Sequence, residues 1–262
     1  MKRIYKNPEE PYNLQRYRLR FPDETWERFR RYSSKGYDEI KARLLKEQHG
    51  LCAYCEITLK QTDEDGTLDD FRVEHFYPKS ATEEDGHNYH LDWENLLGVC
   101  HGGSQAAVVD AEKRYSTLKT ERTCDVPKSD KEISSKILNP LTLPMEKRIF
   151  HYSSKGKMFV DDKFCPEELR VAAESTIKEL NLNSLRLQRL RREVIQRVQD
   201  ELYGMTCDPE LTPEQLESLE LELAYAWLTP NAEGNYLPFF SAIRSVLNEG
   251  AEHYLAEQDY KV

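Results

Sequence analysis

What the chain lacks narrows it first. No apolar run of about 18 residues, the length a membrane helix needs, occurs in the 262-residue sequence. The opening stretch, MKRIYKNPEEPYNLQRYRLRF, carries basic residues but no apolar h-region. Neither a signal peptide nor a membrane anchor is therefore expected, and a cytoplasmic location is. Positive charge is in short supply: 37 Lys and Arg stand against 47 Asp and Glu, a formal net charge of -10. That balance excludes a protein that coats nucleic acid with its whole surface. Internal repeats and low-complexity tracts are absent. Six cysteines could pair as disulfides in a secreted protein. Without a secretion signal, a close Cys-x-x-Cys reads instead as metal-binding or redox-active.

What is present describes a globular chain with a charged surface: 39% hydrophobic, 10% aromatic and 32% charged residues. The charge is unevenly spread. Residues 1–50 hold thirteen Lys and Arg against eight carboxylates, whereas residues 208–222 are acidic without one basic residue. Such runs read either as solvated faces or as a basic, phosphate-facing end opposite an acidic, partner-facing one.

Regularity divides the sequence into three expected parts: a basic arm with helices over 1–50, a zinc-bound region with an insertion and a β-hairpin over 51–165, and a helical region over 166–262. The first twenty residues, with Pro8 and Pro11, read as an extended arm. Helices are predicted over 23–32 and 37–49, the second stopped by Gly50. From 51 to about 140 short apolar pieces such as FRVEHF alternate with connections such as DEDG and EEDGH, a pattern that suits a small ββα unit. RIFHYSSKGKMFV alternates around a turn and predicts a hairpin. Pro166 opens a helix, Asn183 or Ser184 caps a second that Gly204 closes, Thr212 and Gln215 form a capping box for a third, and a fourth runs from Pro238 to about Gln258. Cys165, Cys207 and the three tryptophans read as buried. The arginines of RLQRLRRE read as the outer face of an amphipathic helix.

Chemistry concentrates in two places. Cys52 and Cys55, two residues apart, point both thiolates at one ion, and Cys100 and Cys124 are the remaining candidates for a tetrahedral structural zinc. A thioredoxin-like redox pair or free thiols are the alternatives, although no βαβ context surrounds the pair. About twenty residues after the knuckle stands Glu74-His75, followed by HLDWENLLGVC with Asn95 at the start of an expected helix. Hydrolysis of a phosphodiester needs a base for water, which neutral histidine supplies near pH 7, and a divalent cation to stabilise charge. Hard oxygen ligands suit Mg²⁺ or Mn²⁺.

The order Cys-x-x-Cys, Glu-His, Asn, Cys resembles the HNH (His-Me finger) nucleases. The fold this implies is α+β and mostly helical, with a zinc-stapled ββα core, flanking helices and a C-terminal helical region. The resemblance implies that His75 is the general base, Glu74 a ligand of the catalytic metal, and Asn95 the middle asparagine and a second ligand. The usual second Cys-x-x-Cys is missing. An insertion of about two dozen residues separates Cys100 from CDVPK, which aligns Cys124 with the last zinc ligand and Asp125 with the final polar position, where His101 is a rival. His87 and His90 read as surface-loop residues. RIYKNPEEP, ILNPLTLPMEKRIFHYSSKGKM and ESTIKELNLNSLRLQRLRREV resemble segments of the PtuB-type HNH proteins of Septu and retron-associated antiphage systems. That family implies a toxic endonuclease effector beside an ABC/SMC-like ATPase of the PtuA type, with a reverse transcriptase and its multicopy single-stranded DNA in retron systems. The motif does not choose between DNA and a structured RNA such as tRNA. A non-catalytic zinc-finger adaptor is the alternative from another class.

Overall fold

The computed structural model describes residues 1–62, 66–79 and 86–261, so the DEDG and EEDGH connections fall mostly outside the described residues. Three helices come first: α1 (Tyr12–Arg20), α2 (Trp26–Tyr32) and α3 (Ser34–Glu47). The expected extended arm is thus half helix. Its cap is not local: the Glu39 carboxylate accepts from the backbone N–H groups of Tyr12 and Asn13, both at 3.0 Å. Thr25 caps α2 by accepting from Arg28 N. Beyond α3, Gly50 takes the left-handed conformation at φ +75 that was read as the stop. Leu14, Trp26, Phe29, Ile40 and Leu44 pack with Leu91, Trp93 and Leu96 into one buried cluster.

Next come β1 (Phe71–His75) and β2 (Leu96–Cys100), antiparallel, with Glu74 opposite Leu97 and His75 opposite Leu96. Asn95 does not open a helix. It ends a single 3-10 turn, Trp93–Asn95, that leads straight into β2. The helix expected after the strands is present only as single turns, α4 (Ala111–Arg114) and α5 (Asp125–Lys128), so the core is a two-stranded sheet with short helical turns rather than a full ββα unit.

The predicted hairpin is β3 (Phe150–Tyr152) and β4 (Met158–Val160). Four helices follow: α6 (Glu167–Glu179), α7 (Leu185–Thr206), α8 (Pro213–Leu228) and α9 (Phe240–Glu257). Ser184 caps α7, and Thr212 with Gln215 forms the full capping box of α8. Gly204 does not close α7, which runs on to Thr206. Val198, Leu223, Trp227, Ile243, Leu247 and Tyr254 belong to a second cluster shared by α7, α8 and α9. A third and largest one gathers the four expected zinc cysteines with Phe71, Leu138, Phe150, Ala173 and Leu187.

Two expectations about side chains fail. Cys207 is exposed. Arg186 and Arg191 of RLQRLRRE are buried: the Arg191 guanidinium lies 5.5 Å from the Tyr152 ring centroid and donates to Gly156 O at 3.3 Å, so the aromatic face and a carbonyl replace its water. Trp26, Trp93, Trp227 and Cys165 are buried as expected. Among the described residues no helix is long and apolar enough to cross a membrane.

Candidate active site

The knuckle between α3 and β1 is shaped by backbone. Cys52 N–H donates to Ile57 O at 2.9 Å and Glu56 N–H to Cys52 O at 3.0 Å, folding the chain so that Cys52 and Cys55 face inward. Glu56 adopts φ +61 there, and its carboxylate is anchored by Ser241 at the head of α9. Gln48 then ties the knuckle to the sheet: its amide accepts from Gly98 N–H at 2.7 Å and donates to the carbonyls of Gly98 and Leu51, each at 2.8 Å. β2 delivers Cys100, and the segment before α5 delivers Cys124.

All four thiols are buried, with sulfur separations of 3.9 Å (52–124), 3.7 Å (55–100) and 3.7 Å (100–124). A tetrahedron with metal–sulfur bonds of about 2.3 Å has edges of about 3.8 Å. The cluster therefore fits a structural zinc, with Cys100 N–H donating to Cys52 Sγ at 3.4 Å in support. Four thiols in one buried group, with the second pair drawn from two separate segments, do not match a Cys-x-x-Cys redox pair.

Gly102 keeps the two later ligands in register. Its φ is +57, and a Cβ there would stand 2.2 Å from Thr123 O, beside Cys124. Gly102→Ala is expected to cost about 2–4 kcal/mol and to lower zinc content, read by denaturant melts and metal analysis. A variant that melts like the parent with full metal would show the loop is not held this way.

Glu74 and His75 leave β1 in opposite directions, as neighbours on a strand do. On one side the His75 ring meets Trp26 edge-on at 5.0 Å between centroids. His75 Nε2–H donates to His90 O at 3.1 Å, an assignment forced because a carbonyl only accepts, so Nδ1 is the free lone pair. Burial lowers the His75 pKa to about 3, and the ring is neutral at pH 7. His90 is not the loop bystander that was expected. Its Nδ1 accepts from Trp26 N–H at 3.2 Å while its carbonyl holds His75. His87 is exposed, beside Asp92.

On the other side, Glu74 faces a polar cluster that β1 and α5 build together. Lys128, fully buried, donates to Glu74 Oε1 at 2.7 Å and to His75 O at 2.9 Å. Arg72 Nε donates to Asp125 Oδ2 at 2.6 Å. Burial lifts the Glu74 carboxyl to about 7; Lys128 opposes the shift and the nearby Asp125 adds to it. Asp125 is raised as well, again by burial first, with Arg72 pulling the other way. Among the described residues Asp125 Oδ1, His101 Nδ1 and the Tyr54 hydroxyl are buried without hydrogen-bond partners, while His101 Nε2–H donates to Asp69 O.

Asn95 lies apart from this cluster. Its Oδ1 accepts from Tyr77 N–H at 2.7 Å, and its Nδ2 donates to the carbonyls of Tyr77 and Tyr89, each at 3.0 Å. The amide clamps the chain after β1. Arg72, Lys128 and Trp26 complete the site without having been singled out from the sequence. The signal for Arg72 was its two-residue spacing from Glu74 on one strand face, and for Lys128 its place one helical turn after Asp125.

Loss of Lys128 leaves a carboxylate and a carbonyl unpaired in the interior. Lys128→Met is expected to destabilise the chain by about 3 kcal/mol in urea melts at pH 7. An unchanged midpoint would mean the Lys128–Glu74 pair contributes nothing to the fold.

No family model matches the chain, and no solved structure matches it. A protein of Escherichia coli, provisionally named the HNH endonuclease of retron Ec83, is 35% identical over an alignment of 242 residues that spans 85% of this chain and 87% of the relative. With that identity over most of both chains, and with the thiol cluster, Glu74 and His75 built around one strand pair, the chain belongs to the HNH endonuclease family of that retron protein.

Proposed function

We propose that the chain is a metal-dependent HNH endonuclease that hydrolyses phosphodiester bonds, and that it serves as the toxic effector of a Septu- or retron-type antiphage complex with an ABC/SMC-like ATPase partner. Beyond the relationship to the retron Ec83 protein, one observation carries the reading: the thiol cluster is wired through β2 and α5 to the strand that bears both Glu74 and His75.

Each residue then has a role. His75, held by His90 O in the tautomer with Nδ1 free, takes the proton from water; the oxygen attacks phosphorus, the P–O3′ bond breaks and the leaving 3′-oxygen takes a proton from solvent, giving 5′-phosphate and 3′-hydroxyl ends. Attack by water needs no 2′-hydroxyl, so DNA and RNA are both open. Asn95 is a positioning residue that fixes the segment after His75. Glu74 and Asp125, two carboxyls raised first by burial, are the residues that would hold a divalent cation such as Mg²⁺ or Mn²⁺; among the described residues Asp125 Oδ1 has no hydrogen-bond partner. When bound, such a cation would neutralise charge on the phosphate and the leaving oxygen.

The test is incubation of the chain and its ATPase partner with DNA and with RNA, with and without Mg²⁺ or Mn²⁺, followed by mapping of product ends. Cleavage that needs the cation and His75 is the expected result. The ion pairs that hold Glu74 to Lys128 and Asp125 to Arg72 favour a second reading, a non-catalytic zinc adaptor. Nucleic acid bound but never cut under all those conditions would establish it instead.

A further inference from the structure

The acidic chain carries one surface of the opposite kind. Between Tyr12 and Lys35 stand seven basic residues and three acidic ones, against a net charge of -10 for the whole. Arg16, Arg20, Arg30 and Arg31 are exposed and make no ion pair among the described residues. Aromatic side chains interleave with them: Tyr12 is 62% exposed, Tyr32 66% and Phe21 41%. Guanidinium groups already lie over rings there, Arg20 at 5.2 Å from the Phe21 centroid and Arg28 at 5.8 Å from that of Tyr32. Large exposed aromatics cost solvation free energy unless something covers them, and unpaired arginines attract negative charge.

The surface joins the candidate active site through one helix. The inward side of α2 puts Trp26 against the His75 ring and its backbone N–H on His90, while the outward side bears Arg28, Arg31 and Tyr32 and the exposed Arg30 lies at the flank over the Tyr37 ring. The geometry points to α1 and α2 as the binding face for a single-stranded polynucleotide whose bases stack on Tyr12, Phe21 and Tyr32 and whose phosphates meet Arg16, Arg20, Arg30 and Arg31. An acidic peptide would satisfy the arginines but leaves the exposed rings without planar partners. A duplex hides its base faces inside its own stack, so the rings select a single strand. The face deepens the nuclease reading and rests on it, because it names the form in which a strand reaches His75.

The experiment measures binding by fluorescence anisotropy with the full chain and no added divalent cation, so that nothing is cut. Probes are oligothymidylate and oligouridylate of about 20 nucleotides and a DNA duplex of equal length. Both single strands should bind more tightly than the duplex, and the ratio between them reports which sugar is preferred. Combined Arg16→Gln, Arg20→Gln, Arg30→Gln and Arg31→Gln should weaken single-strand binding by at least about tenfold and lower the slope of affinity against salt, since each lost phosphate contact removes about 0.7 from it. Tyr12→Ala with Tyr32→Ala should weaken single-strand binding by about tenfold and leave duplex binding unchanged. Zinc content at the parent level shows that these surface variants remain folded. Undiminished binding by the arginine variant, equal losses on duplex and single strand in the tyrosine variant, or no binding of any probe would each overturn the assignment, the last handing the face to a protein. The nuclease reading fails separately: a chain that binds single strands through this face and never cuts them sinks that reading and leaves the face standing.

Discussion

His75→Ala is expected to lower cleavage by about 10²–10⁴-fold, the range a positioned general base supplies, while zinc content stays at the parent level. The loss arises because Nδ1 is the one basic atom that the β1 terminus presents in a fixed tautomer, its partner nitrogen being tied to His90 O. Truncation also removes a ring packed on Trp26 and orphans that carbonyl, which costs about 1–3 kcal/mol of stability, so a weak result in the alanine variant alone could reflect unfolding. His75→Gln separates the two. Its amide can still donate to His90 O and fill most of the space, but it cannot take a proton from water. The glutamine variant should therefore melt closer to the parent and cut no better than the alanine variant. Cleavage by His75→Gln at parental rate would remove His75 from the chemistry and leave it a packing residue between Trp26 and His90.

How far the sequence foretold this site depends on how local each signal was. The Thr212 capping box, the Gly50 stop and the SSKG hairpin were legible because each is decided within a few residues. The thiol cluster was legible because soft ligands are scarce and, of the six cysteines, only those four lie upstream of the hairpin and the helical region. The α1 helix was hidden because its N-terminal cap is Glu39 from another helix, and its one fully buried side chain, Leu14, makes no periodic stripe. Arg191 was misread because the amphipathic pattern cannot show that Tyr152 and Gly156 O lie within reach of an inward arginine. Asn95 was placed at a helix start because Asp-Trp-Glu-Asn looks like a first turn; the turn ends at once when β2 pairs with β1. Glu74 and His75 were found as a pair, but strand alternation sends them to opposite sides. The carboxylate neighbour that the fold gives Glu74 is Asp125, fifty-one residues on, brought near where the chain closes the thiol cluster at Cys124.

Removal of a zinc held by those four thiols is the second large effect expected. The ligands close the chain between residues separated by 45 and 24 positions, 55 to 100 and 100 to 124, and most of residues 101–149 lacks regular structure of its own. Structural zinc supplies about 10–16 kcal/mol in small finger domains, as much as the whole net stability of an ordinary domain of about 5–15 kcal/mol. Extraction by a chelator, or Cys124→Ser at a fully buried ligand, should then lower Tm by about 20 °C or more, or abolish the cooperative transition. The loss should be regional. The cluster of α7, α8 and α9 around Trp227 and Leu247 contains none of the four ligands, so helical ellipticity from the C-terminal part should survive while the packing of Phe71, Phe150 and Leu187 around the four cysteines is lost. Activity should vanish with the metal even when Mg²⁺ is abundant, because β1 then has no fixed relation to α5 and Lys128 no longer meets Glu74. A metal-free chain with all six thiols titratable and a parental melting curve would refute the staple, and with it the idea that the sulfurs are what aim His75.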